Sequence, residues 1–146
     1  MARKRKPGSN ISDTKLTSQD VSSFERVKYQ ILQLHNDFTT LAKKPNDPVN
    51  KFKLNFVNEK LMEANSLLSD AFKPSENFEQ FSEDDMPTTS DVLMILSQYI
   101  DSLEAWRSAH VYEDASDIYN RKWFWATSDG SSIKAERASR YRENQD

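Results

Sequence analysis

Only Gly8 and Gly130 are glycines in this 146-residue chain. Everything between them has to fold without the one residue that enters the left-handed backbone region freely. Open β folds draw on glycine at turns and bulges, whereas helices separated by proline-marked breaks do not. The glycine distribution therefore predicts helices joined by proline-marked breaks, with Pro45 and Pro74 marking where the first two stop.

The apolar spacing agrees. Phe24, Val27, Ile31, Leu34, Phe38 and Leu41 follow one another at steps of 3, 4, 3, 4 and 3, a heptad seam that predicts a first helix opening near a Thr17 or Ser18 cap. It should stop before Pro45. Asp47 followed by Pro48 reads as a cap and first helical position, so a second helix is expected from there to about Phe72. Its face is broader, with Val49, Phe52, Phe56, Val57, Leu61, Ala64, Leu68 and Ala71. The short break implies an antiparallel hairpin with arms of roughly 40 Å at 1.5 Å per residue. After the acidic connector "SENFEQFSEDDMP", a third helix capped by Thr89 or Ser90 carries Val92, Ile95, Leu96, Tyr99, Ile100, Leu103 and Trp106 on one stripe. It is expected to run on through Ala115, Ile118 and Tyr119. "SDGS" at 128–131 reads as a turn, and the residues after it as a short basic helix or tail.

The fold class expected is all-α, a long antiparallel helical hairpin packed against a third apolar helix. Residues 1–16 form a disordered basic arm, residues 17–126 the helical bundle, and residues 127–146 a turn with a basic tail or short helix. A folded chain of this length buries roughly 68–70% of its unfolded surface, so a core without staples is feasible.

Composition excludes several classes of chemistry. There is no cysteine, which removes disulfides, thiolate-bound zinc, iron–sulfur sites and thiol catalysis. Two isolated glycines allow no P-loop, no dinucleotide fingerprint and no nucleophile elbow. No apolar run is long enough to cross a membrane, and the basic start lacks the apolar stretch of a signal peptide. The expected location is intracellular, cytoplasmic, with nuclear import by the basic start as the eukaryotic variant. Net charge is −3, but it is distributed unevenly. Residues 1–44 hold nine Lys/Arg against four Asp/Glu, residues 45–119 five against fifteen, and residues 120–146 six against four. The ends are basic and the middle is acidic, unlike a protein basic over its whole folded surface.

Two groups of residues stand out as candidates for contact. Arg3, Lys4, Arg5 and Lys6 form a basic block suited to phosphates, to import or to solubility. Arg121, Lys122, Trp123, Phe124 and Trp125 place three aromatic rings after two cations. Extended, that segment puts Trp123 and Trp125 on one face and Phe124 on the other. The rings then either close the core, anchor a protein partner or stack on nucleobases, and core closure is the leading reading.

The carboxylates Glu59, Glu63, Asp101 and Glu104 fall off the apolar stripes and read as solvated faces. An inward metal site would need them on those stripes. His35 and His110 read as structural. No catalytic, cofactor-binding or metal-ligating set is expected, and no enzyme activity. Phe78 and Phe81 are expected to staple the connector. Three amphipathic helices with unequal faces leave spare apolar surface. The function expected is thus a non-enzymatic interaction protein, an adaptor or subunit of a larger assembly, with a protein or a second copy as partner. The alternative is a nucleic-acid-binding accessory protein using the basic ends and Trp123/Trp125.

Overall fold

The fold is that of a computed structural model, which describes residues 16–41, 43–116 and 118–139. The basic block Arg3–Lys6 lies outside them. In chain order the elements are α1 (Ser18–Leu41), α2 (Lys51–Leu67), a single 3-10 turn (Glu83–Asp85), α3 (Thr89–Ala109), β1 (Val111–Asp114), β2 (Lys122–Trp125) and β3 (Lys134–Ala135). The described residues divide into two compact units, one formed by residues 16–23 and those from Glu104 to Ser139, the other by Phe24–Leu103.

Two of the helices open on the same device. The Thr17 hydroxyl accepts from the Asp20 amide at 3.2 Å while the Asp20 carboxylate accepts from the Thr17 amide at 2.9 Å. Thr88 and Asp91 repeat this at α3, at 3.1 and 2.8 Å. Each pair satisfies amides that a helix start leaves without partners. The α3 cap is therefore Thr88, one residue earlier than the spacing suggested.

In the second unit the seam of α1 is buried as expected, with Phe24, Val27, Ile31, Leu34 and Phe38 between 0 and 9% exposed. Helix α2 contributes Leu54, Val57, Leu61 and Ala64, followed by Leu68 at its C-cap. Helix α3 adds Val92, Leu96, Tyr99 and Leu103. Polar contacts fix the helix directions. His35 meets the Ser97 hydroxyl at 3.0 Å and the Pro45 carbonyl meets the Ser90 amide, so α1 and α3 run opposite ways. Val49 pairs with Pro87, and the Tyr99 hydroxyl donates to Asn65 at 2.7 Å, so α2 and α3 run the same way. Burial raises the Tyr99 pKa above its ordinary value.

Running α2 and α3 in the same direction requires the connector to return along α2, and the side chains show how. Asn65 donates to the Glu79 carbonyl, and Asn58 brackets Phe81, donating to its carbonyl at 2.9 Å and accepting from its amide at 2.8 Å. Phe78 and Phe81 meet edge to face with centroids 5.1 Å apart. The connector is held, but along α2 and mainly by amide hydrogen bonds.

Three expectations are corrected. First, α2 is 17 residues long and begins at Lys51, capped by Asn50, where the sequence suggested Asp47 and Pro48. Pro48 forms an extended bridge to Thr88 instead, so the backbone there cannot be helical. The arm of about 26 Å at 1.5 Å per residue is much shorter than the 24-residue α1, and the hairpin is unequal. Second, the chain is not all-α. A three-stranded antiparallel sheet is present, ordered β1-β2-β3, with β1 where α3 was expected to continue, β2 within the expected helical bundle and β3 in the expected tail. Val111 pairs with Trp125, Asp114 with Lys122 and Trp123 with Ala135. Third, the glycine-free stretch was expected to hold helices, yet β1 and β2 lie in it and their link has no glycine, while Gly130, with φ of 77°, falls in the turn expected at 128–131.

The Asn58 bracket generates a direct test. Asn58→Ala should lower the free energy of unfolding in urea by about 1–3 kcal/mol, because it strips partners from two partly buried backbone groups. Exchange of the Phe81 amide should speed up. Asn55→Ala, an exposed neighbour on α2, should change stability by less than about 0.5 kcal/mol.

Candidate functional site

The aromatic triplet is a strand in the first unit. Trp125 is 2% exposed and sits 6.2 Å, centroid to centroid, from Trp106, itself buried. Trp123 is half-buried on the same face. Phe124, on the other face, packs with Tyr112 and Ala126, its ring 6.2 Å from that of Tyr112. Arg121 is exposed and lies 3.4 Å from Glu113, and Lys122 is exposed at the strand's first position. The structure thus brings the five residues into one strand region, with Trp125 turned into the core and the cations at the solvent end.

What holds this unit together is a residue to which sequence reasoning gave no role. Arg107 is 4% exposed. Its guanidinium grips Glu104 through two parallel hydrogen bonds of 2.9 and 2.7 Å, and donates to the carbonyls of Glu136 and Arg137 at 2.8 and 2.7 Å. The planar fork of arginine satisfies one carboxylate and two backbone acceptors at once, which lysine cannot do. The segment after β3 is tied down this way, and Ser108 adds a bond to the Ser139 amide at 3.0 Å. Three residues along, His110 stacks on Trp106 at 4.2 Å and its Nδ1–H donates to the Trp106 carbonyl at 2.6 Å. Burial lowers the His110 pKa, with the carbonyl bond opposing the shift. At the start of α1, Asp129 accepts from the Ser18 amide and from Ser131, which holds its carboxyl well below the usual range.

The second unit carries the concave feature. A hollow of about 530 Å³ is lined by Leu34, Phe38, Val49, Phe52 and Phe56 among apolar residues, with Lys43, Lys44, Lys53, Asp37 and Asp47 as the charged ones. That volume lies in the range of ligand and docking pockets. Phe52 is 80% exposed and Phe56 47%, although both were counted on the apolar face of the second helix. The stricter seam of α2 is Leu54, Val57, Leu61, Ala64 and Leu68, at steps of 3, 4, 3 and 4. The two phenylalanines fall off that seam, and this was the signal available in the sequence. Lys60, buried between Glu59 and Glu63, lies 5.5 Å above the Phe56 ring and holds it from one side. Among the described residues, Lys43, Lys44 and Lys53 form no ion pair, while Asp37 accepts from Gln33.

The carboxylates considered from sequence do not converge. Glu104 is committed to Arg107, and Glu59 and Glu63 flank Lys60. Among the described residues no three His, Cys, Asp or Glu side chains come together as a metal site, and no helix is long and apolar enough to cross a membrane.

Two outcomes follow for the first unit. Arg107→Ala should cost about 1.5–3 kcal/mol in urea unfolding, the range for losing hydrogen bonds to a charged group, and Arg107→Lys should recover less than half of it. His110 binds its proton less readily in the fold than in the unfolded chain. Its contribution is therefore complete above about pH 6.5, the ordinary histidine value, and is lost as the pH falls through that point. His110→Phe should flatten the dependence of the urea midpoint on pH between about 7 and 5.

Comparison of the chain with protein-family models, with curated proteins and with solved structures finds no match, so any reading of function rests on these residues and their geometry.

Proposed function

We propose that the chain is a non-enzymatic interaction protein, an adaptor or subunit of a larger assembly, that docks its partner on the apolar groove beside α2. One observation carries this reading. Phe52 and Phe56 are exposed at a hollow also lined by Leu34, Phe38 and Val49, with three lysines at it that form no ion pair among the described residues. Covering a phenylalanine side chain contributes roughly 1.5–3 kcal/mol, so two held out on one helix turn are a reserve for association. Aromatic anchors inside a charged rim are the composition of protein contact sites.

The nucleic-acid reading draws less support. With Trp125 in the core, base stacking falls to the half-buried Trp123 and Phe124, and the reading then depends on Arg3, Lys4, Arg5 and Lys6. A charge-only contact of that size is weak and strongly salt-dependent.

Affinity capture with the full chain and with Phe52→Asp/Phe56→Asp, its fold checked by circular dichroism, tests the docking reading. A stoichiometric partner, whether another protein or the chain itself, should be retained by the native protein and lost by the variant. Equal capture by both overturns docking at this face. Fluorescence anisotropy with labelled DNA and RNA across a salt series should show no dependence on residues 1–16. Steeply salt-dependent binding that vanishes when they are removed transfers the function to nucleic acid.

A further inference from the structure

The 3-10 turn at the end of the connector has the inverse character of the groove, and both belong to the second unit. Met86 ends that turn with φ of 47° and ψ of 57°, a left-handed conformation that strains any residue with a Cβ. Glycine would take it without strain. The chain instead places there a flexible, polarisable side chain that is 64% exposed, of the kind that fills irregular apolar hollows. Glu83, Asp84 and Asp85 precede it and are all exposed, Glu83 in a solvent-exposed pair with Lys51 at 3.9 Å that a competing cation can exchange. The turn is thus an apolar knob on an acidic base, and the groove an apolar hollow with a lysine rim.

Knob and hollow are neighbours on the same unit. The Pro87 carbonyl, next to Met86, accepts from the amide of Val49 at 2.9 Å, and Val49 lines the hollow. A patch holding both halves of a contact side by side is self-complementary. A two-fold axis passing between the halves sets each knob on the other copy's hollow, and the contact closes as a pair rather than a filament. The basic residues Arg3–Lys6 of the same chain carry the charge of the rim lysines and would be repelled by them.

Resting on the docking reading above, we infer that the occupant of the groove is a second copy of this chain, with Met86 of each copy seated against Phe52 and Phe56 of the other and Glu83, Asp84 and Asp85 facing Lys43, Lys44 and Lys53. Asp37 and Asp47 also line the hollow, so among the described residues its lysines outnumber its carboxylates by one, and the attraction is moderate and sensitive to salt.

Sedimentation velocity on the full chain, over a concentration series at low and high salt, tests this. The native protein should dimerise, less at high salt. A groove variant (Lys43→Glu/Lys44→Glu/Lys53→Glu) and a tip variant (Glu83→Lys/Asp84→Lys/Asp85→Lys) should each dissociate at least about tenfold more readily, a loss of about 1.4 kcal/mol. Mixing the two should restore the dimer, because the acidic rim of one variant then faces the basic tip of the other while the native tip faces the native rim. Met86→Gly should weaken the dimer while leaving the thermal midpoint unchanged or higher, an outcome that a purely structural role for Met86 would not give. A native protein that stays monomeric throughout overturns the inference, as does a mixture that fails to associate. If a monomeric native chain still captures a partner that Phe52→Asp/Phe56→Asp loses, self-docking fails and the docking reading stands. If capture is also unchanged, both fall.

Discussion

The second unit depends on how the start of α3 is satisfied. A helix leaves its first amides without partners, and buried or half-buried amides must find acceptors. Here the Thr89 amide is met by the carbonyl of Asp47 at 3.2 Å and the Ser90 amide by that of Pro45 at 2.9 Å, while Val49 and Pro87 pair just beside them. The link between α1 and α2 is therefore fastened to the first turn of α3 by its own backbone. That fastening explains the extended conformation at Pro48, the late start of α2 at Lys51 and the position of Lys43, Lys44 and Asp47 around the hollow. The groove is the space left when a loop is held against one helix end and α2 departs from it.

In the first unit a single guanidinium does the comparable work. Strands of four, four and two residues offer little cooperativity, since short sheets need an apolar face or a helix to be stable. Trp125, opposite the buried Val111 in the sheet, supplies the apolar side against Trp106. Arg107, one residue further along α3, supplies the polar side by tying down the carbonyls just after β3. Adjacent positions on one helix thus hold opposite ends of the sheet's account of itself, an aromatic core and a buried cation whose partners are all met. A buried arginine with unmet partners would be strongly destabilising, so the segment from Glu136 to Arg137 and the end of α3 stabilise each other.

Much of the helical architecture was legible because it is written in side-chain periodicity. The seam from Phe24 to Phe38 is buried where the spacing put it, as are Val92, Leu96, Tyr99, Leu103 and Trp106 of the α3 stripe. Ile95 and Ile100 are only half-buried, and the α3 cap falls one residue before the expected Thr89. The sheet was not legible for three reasons. "VYED" and "KWFW" are each too short for alternation to be told from a helix end, the β1–β2 link turns without glycine, and Arg107 reads from sequence as one more charge on a helix's last turn. The absence of glycine bounded only part of the chain, and Gly130 marks a turn of the sheet that the argument from glycine disfavoured. Phe52 and Phe56 were misplaced because apolar residues on α2 were counted without asking which belonged to a strict 3–4 seam. The hollow itself is made by backbone hydrogen bonds between residues 45–49 and 87–90, and no side-chain pattern encodes those.

Exposed aromatics and a strained residue carry more weight together than either does alone. A protein of this size has too little polar surface to hide every apolar atom, so scattered exposed side chains are ordinary. Tyr29 and Met94, both exposed, need no more explanation than that. Phe52 and Phe56 differ because they overhang a concave surface, where water makes fewer favourable contacts and a covering group makes more. Met86 differs because a left-handed backbone at a residue other than glycine costs of order 1–3 kcal/mol and persists only where the surroundings impose it. The surroundings are the Thr88–Asp91 cap on one side and the Asn58 bracket at Phe81 on the other. The chain between those two fixed points must turn sharply to enter α3, and the turn falls at Met86. The strain is thus a consequence of running α2 and α3 in the same direction over a short return, and the fold, having fixed the turn, leaves an apolar side chain at its tip.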